Sequence, residues 1–176
     1  MRPVETLRRG DRLVTRDNGL KRIAWAGSRA FGYQDLSETD ALCPVLVRAG
    51  AFGEGMPLRD TIVSPEHRFL VTPGISPLTG GEPEALVAAR HLVNGKSIRW
   101  ASMLGVSYLH VLLNAHEVIL ANGSWTESFH PDDQVMRDMA PNQRQEILIL
   151  FPEIATMGAA RRFPAARSIQ KSRFDS

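Results

Sequence analysis

The stretch Asp60-Thr61-Ile62-Val63-Ser64-Pro65-Glu66-His67 sets a hydroxyl three residues ahead of an imidazole, across a Ser-Pro break in a strand-like run. A turn at that break can point Ser64 and His67 into one pocket. A histidine with a near-neutral pKa can pass a proton to a leaving group, a hydroxyl can hold a carbonyl oxygen or the imidazole, and Asp60 can orient or charge the ring. The same spacing also suits a turn serine followed by a half-buried, hydrogen-bonded histidine, and both readings stand at this level. Other chemistries are poorly supported. No two of His67, His91, His110, His116 and His130 have the i, i+4 spacing of a helical zinc motif, and the single Cys43 forms no pair, so no metal or cofactor is expected. Ser64 has no Gly-x-Ser-x-Gly elbow. Gly50-Ala51-Phe52-Gly53-Glu54-Gly55 has the glycine density of a phosphate loop, but no Lys-Ser or Lys-Thr follows, so it reads as a flexible turn.

The elements that would position these residues are mostly short strands. The chain has 176 residues, 43% of them hydrophobic and 23% charged, enough for one domain with its own core. Leu13 to Thr15 and Leu20 to Trp25 flank Asp17-Asn18-Gly19 and read as a hairpin whose Asn-Gly pair takes the positive φ angles of a type I′ turn. Further strands are expected over Pro44 to Arg48, Thr61 to Val63, Arg68 to Thr72, Ile98 to Trp100, Val106 to Leu113 and Glu117 to Ala121. Asn122-Gly123 follows the last as a strand-to-strand turn. Two helices are expected, over Leu86 to Leu92 and over 141–151, the second opened by Pro141 and stopped by Pro152. The class is therefore all-β with a short C-terminal helical extension.

The net charge of +2 is unevenly placed, because Arg161, Arg162, Arg167, Lys171 and Arg173 crowd the C-terminal end against Asp175. Residues 154–176 are expected to be a basic, disordered tail, and residues 1–153 the domain. The body offers no basic face for nucleic acid. No apolar run approaches the roughly 18 residues of a membrane span, and Met1 to Asp11 is charged, unlike a secretory leader. The expectation is no membrane partner, with the cytoplasm as default compartment. Oligomeric state is not legible.

Read end to end, Val4 to about Glu153 resembles the bacterial branch of the Hint (hedgehog/intein) self-processing domains. The matching stretches are Val4-Glu5-Thr6-Leu7-Arg8-Arg9-Gly10-Asp11-Arg12-Leu13-Val14-Thr15-Arg16-Asp17-Asn18-Gly19, Ile23 to Gly27, and Pro44 to Ala51. Leu58 to Arg68 looks like that branch's Thr-x-x-His block, with Ser64 replacing threonine. Leu86 to Val93 is similar to its short helical segment, and Tyr108 to Ser128 resembles the late block, with His116 and Asn122-Gly123. The resemblance implies a pseudo-symmetric β-rich fold. It also implies an acyl shift, in which a leading cysteine thiol attacks the preceding carbonyl and turns that peptide bond into a thioester. The substrate would be the domain's own upstream polypeptide. By resemblance His67 protonates the departing nitrogen, Ser64 bonds within the same cradle, Asp60 is an orienting or proton-moving carboxylate, and His116 matches a late-strand histidine position where a structural role is equally suited. Relatives often sit in large secreted proteins.

The family's leading cysteine, on a Phe-x-Pro-Gly-Thr-like strand, belongs just upstream of Val4-Glu5, where this chain reads Met1-Arg2-Pro3. The expectation is a domain inactive as written, lacking nucleophile and first strand, with a sheet edge left exposed. Cys43, mid-chain before Pro44, reads as a structural thiol. Asn122 is not followed by the Cys, Ser or Thr of a splicing junction, so at most N-terminal cleavage is expected. The alternative is a non-catalytic Hint-like scaffold or interaction module, with Trp25, Trp100, Trp125 and Phe129 serving as core or surface anchors.

Overall fold

A computed structural model describes residues 2–170. Its strands are β1 (Arg12–Thr15), β2 (Gly19–Arg22), β3 (Trp25–Gly32), β4 (Val45–Val47), β5 (Thr61–Val63), β6 (Arg68–Val71), β7 (Ala85–Ala88), β8 (Ile98–Trp100), β9 (Gly105–Leu112), β10 (Val118–Ala121), β11 (Ser124–Glu127) and β12 (Ile169–Gln170). The helices are short: α1 (Tyr33–Glu38), α2 (Ala89–Leu92), α3 (Asp133–Asp138), α4 (Pro141–Leu150), α5 (Ile154–Met157) and α6 (Ala159–Arg162). A seven-stranded sheet runs β12-β7-β6-β11-β10-β1-β2, a three-stranded sheet runs β5-β4-β8, and β3 pairs with β9 alone. Every pairing is antiparallel except β12 with β7.

One core lies between the two larger sheets, where Val45, Val47, Phe69, Val71, Ala85, Val87 and Ile98 interdigitate. A second gathers Trp25 and Leu112 of the β3–β9 ribbon under the C-terminal helices, through Met136, Ile147, Phe151, Ile154 and Phe163. The expected helix over 141–151 thus does pack on strands, with Ile147 facing inward, and Trp25 Nε1 donates to Glu146 at 2.6 Å.

Four sequence expectations are corrected. The stretch Leu86 to Leu92 is not one helix, because residues through Ala88 form a strand and only 89–92 coil. Its strand half lies between β6 and β12 with every residue buried, and a strand covered on both faces is a continuous apolar run that periodicity cannot tell from a buried helix. The first hairpin does not use a type I′ turn, since Gly19 has φ 66° while Asn18 does not enter the left-handed region. That turn belongs instead to Asn122-Gly123, at φ 51° and 80°, between β10 and β11.

A strand over Trp25–Gly32 was not anticipated, because Gly27, Ser28, Ala30 and Gly32 give it little strand character. Tertiary packing explains the composition: a Cβ on Gly27 would fall 2.3 Å from the Trp25 ring, so only glycine leaves room for the indole.

The tail is the fourth correction. As far as Gln170 it is folded onto the body: Phe163 is completely buried, Arg162 pairs with Glu153, and Arg167 reaches Asp17 at 2.8 Å and Glu84 at 3.1 Å. The charge count that suggested a solvated end is partly answered by carboxylates elsewhere in the chain. Lys171 to Ser176 lie outside the described residues.

Candidate active site

His67 is placed by the turn that joins the two larger sheets. β5 ends at Val63, the turn closes with His67 N–H donating to Ser64 O at 3.1 Å, and β6 starts at the next residue. The first turn of α2 pins this corner, because Ala89 N–H donates to His67 O at 2.9 Å and Arg90 N–H to Pro65 O at 3.1 Å. The imidazole stands edge-on to Phe69, with ring centroids 5.4 Å apart at 84°.

The β10–β11 hairpin brings the partners. Its Asn122-Gly123 turn docks beside β5 through Asn122 Nδ2, which donates to Arg59 O at 2.7 Å and Thr61 Oγ1 at 2.6 Å. Leu58 packs so closely on Gly123 that a Cβ there would lie 2.7 Å from its Cγ. With the turn fixed, Thr126 lies opposite Phe69 in the sheet, and its hydroxyl meets His67 Nε2. Glu127 follows directly. Its carboxylate, 8% exposed, accepts from Arg68 N–H at 3.1 Å and from the Arg68 guanidinium at 3.0 Å. His116 Nε2 sits 3.4 Å from the same carboxylate.

The electrostatics follow from this packing. Burial pushes the Glu127 carboxyl up, but His116, Arg68 and His67 outweigh it and hold Glu127 below its ordinary value, so it is ionised. Burial lowers His67, opposed by Glu127 and assisted by Arg68. His110, on β9, is lowered to about 4 by burial and then by repulsion from His67, against the pull of Glu127. Both rings are therefore neutral at pH 7, and neutral imidazole is the form that accepts a proton.

His116 is buried and belongs to this network, but its other nitrogen is committed. Nδ1 accepts from Ala166 N–H at 3.1 Å, and the ring stacks on His130 at 4.1 Å and 11°. His130 in turn donates from Nε2 to Phe163 O at 2.7 Å. These two rings fasten the C-terminal segment.

Ser64 shares the turn with His67, yet the polar partner of the imidazole is Thr126. Asp60 is exposed, and its carboxylate accepts from Ala49 N–H at 2.8 Å, tying down the glycine-rich turn rather than reaching His67. Cys43 donates its thiol to Leu36 O at 3.3 Å beside α1. The sequence reading missed Thr126, Glu127 and Arg68. Arg68 adjoins His67, and the signal for the other two was their place just past the Asn122-Gly123 turn. Among the described residues no three His, Cys, Asp or Glu side chains are grouped to hold a metal, and no helix is long and apolar enough to cross a membrane.

Beside the network opens a groove of about 930 Å³, walled by the β3–β9 ribbon, by Val4 to Arg9 and by α4. His110 lines it, with Trp25, Leu109 and Ile149 among its apolar residues.

A neutral histidine at a sheet corner, folded against an acid-bearing hairpin, can take up and return a proton. A family model described as "Hint domain" matches residues 1–133. The chain therefore belongs to the Hint domain family. The match ends at the start of α3, so α4, α5, α6 and β12 lie beyond it. Neither the curated proteins nor the solved structures provide a match.

Proposed function

We propose that this chain is the proton-handling body of a Hint-type autoprocessing domain with the pseudo-symmetric arrangement of that fold, serving an N-to-S acyl shift and N-terminal peptide-bond cleavage. The observation that carries the reading is His67, kept neutral by burial, bonded to Thr126 and within the field of a buried, ionised Glu127, in a chain of this family. Amide nitrogen leaves only as an amine, so cleavage needs a group that takes the proton of the nucleophile and delivers it to nitrogen. Neutral His67 has the protonation state for the first half of that task, and the carboxylate of Glu127 stabilises the imidazolium formed midway. The substrate is the polypeptide upstream of Val4 on the same chain.

The thiol must come from that upstream segment, because the only cysteine, Cys43, is engaged with Leu36 O near α1. The acyl shift therefore needs a cysteine placed ahead of Val4 of this chain. The test is to extend it at the N-terminus with a Cys-Phe-x-Pro-Gly-Thr-like strand and a passenger. Thiol-accelerated cleavage before the added cysteine, abolished by His67→Ala, is the expected result; an intact fusion would reject the reading. The same placement of Cys43 favours one second reading, a folded Hint-like scaffold without catalysis. That scaffold predicts an extended chain that stays whole with wild-type His67.

A further inference from the structure

The hydrogen bonds around Thr126 specify which nitrogen of His67 carries its proton. A hydroxyl has one hydrogen to give. The Thr126 hydroxyl lies 2.7 Å from Arg68 O, and a carbonyl oxygen only accepts, so the hydrogen is spent there. Toward His67 Nε2 the same oxygen has only lone pairs to offer, and the hydrogen in that bond must come from the ring. Nε2 is therefore the protonated nitrogen of the neutral imidazole. Nδ1 keeps its lone pair and has no protein partner among the described residues.

We propose that Thr126 is the positioning residue of this site, locking His67 in the Nε2–H tautomer so that Nδ1 is the nitrogen that takes up and returns the proton. The role rests on the autoprocessing reading; the tautomer itself does not. In the acyl shift, Nδ1 removes the thiol hydrogen as sulfur bonds to the carbonyl carbon. The resulting Nδ1–H then protonates the amide nitrogen as the C–N bond breaks, giving a thioester, an amine and His67 in its starting form. Thr126 touches none of the reacting atoms. Its backbone register against Phe69 and its bond to Arg68 O make it an acceptor fixed by the sheet, which a mobile side chain would not be.

The test is two-bond 1H–15N correlation spectroscopy of the full chain at pH 7.5, with the His67 ring assigned by loss of its signals in His67→Gln. The expected pattern shows Nε2 protonated and Nδ1 bare. Thr126→Val, nearly isosteric, should mix or reverse the two nitrogens, and Thr126→Ser should keep the wild-type pattern. In the N-terminally extended chain, Thr126→Val should slow cleavage by about 10- to 100-fold, with Thr126→Ser within a few-fold of wild type. A protonated Nδ1 in the wild type, or a pattern unchanged in a folded Thr126→Val, overturns the proposal. If Thr126→Val does not fold, the wild-type and Thr126→Ser spectra still decide the tautomer. A correct tautomer in an extended chain that never cleaves supports the Thr126 assignment and rejects the autoprocessing reading instead.

Discussion

His67 and the His116–His130 pair are built from the same side chain within one network, yet they are spent differently. His67 has one nitrogen held by Thr126 and the other without a protein partner among the described residues. His116 and His130 are stacked face to face, and each gives a nitrogen to the backbone of the C-terminal segment, at Ala166 and Phe163. A histidine whose bonds are spent on backbone groups contributes to folding, because breaking them would leave buried donors and acceptors unpaired. The remaining nitrogens of these two rings, His116 Nε2 and His130 Nδ1, also lack a hydrogen-bond partner among the described residues but are sealed inside the packing, so an unpaired nitrogen marks a chemical ring only where a substrate can reach it. Burial and proximity to Glu127 are common to both regions, so neither marks the chemical residue by itself.

The comparison can be broken most sharply by removing each ring. His67→Ala in the N-terminally extended chain should lower the cleavage rate by at least about 10²-fold while leaving the melting temperature within a few degrees. His116→Ala should do the reverse, melting earlier while any loss of cleavage tracks loss of folded protein. Equal effects on both readouts from both variants would erase the distinction.

The next largest effect concerns the segment that the stacked pair fastens. Phe163 is fully buried among Ile147, Phe151 and Ile154, so Phe163→Ala should cost about 3–5 kcal/mol in urea unfolding at pH 7.5. A cost below about 1 kcal/mol would mean that the segment is only loosely attached.

Acid should then separate the regions further. His110 has its folded pKa lowered from 6.5 to about 4, so the unfolded chain binds this proton first as pH falls. Stability is full above pH 6.5 and declines between there and about 4, by on the order of 1–3 kcal/mol for this group. His130 is lowered too, by burial and then by His116, and adds a loss of the same sign. Urea midpoints measured across this range should fall with acidification, and His110→Phe should flatten part of the slope. A midpoint independent of pH would contradict the neutral state assigned to these rings.

The smallest effect belongs to the ion pairs of the C-terminal segment. Arg167→Ala removes contacts with Asp17 and Glu84 that are partly open to solvent, so it should cost about 0.2–1 kcal/mol and less in high salt. A loss as large as that of Phe163→Ala would show that charge, rather than apolar burial, holds the segment.

Local signals in the sequence determined a good deal. The strands at Thr61–Val63 and Ile98–Trp100 were legible to the residue, and the helix at Pro141–Leu150 nearly so, because alternation, turn residues and proline act within a few positions. His67 was legible as a chemical candidate from its turn and from the family's motif, and His116 as a member of its surroundings.

What the tertiary structure alone decided are the relations between distant residues. Asp60 looked like the carboxylate of the site because it is seven positions from His67, but the turn after Arg48 claims it. Glu127 instead comes in from the neighbouring strand, since antiparallel pairing of β11 with β6 carries it beside Arg68. The long β3 strand and the buried strand β7 were unreadable because their composition answers to neighbours, a Trp25 ring in one case and apolar packing on both faces in the other. The C-terminal segment shows the same limit for charge. A cluster of arginines reads as a solvated end until the fold brings Glu153, Glu84 and Asp17 within reach, because the repulsion of like charges near in sequence is offset once opposite charges are near in space.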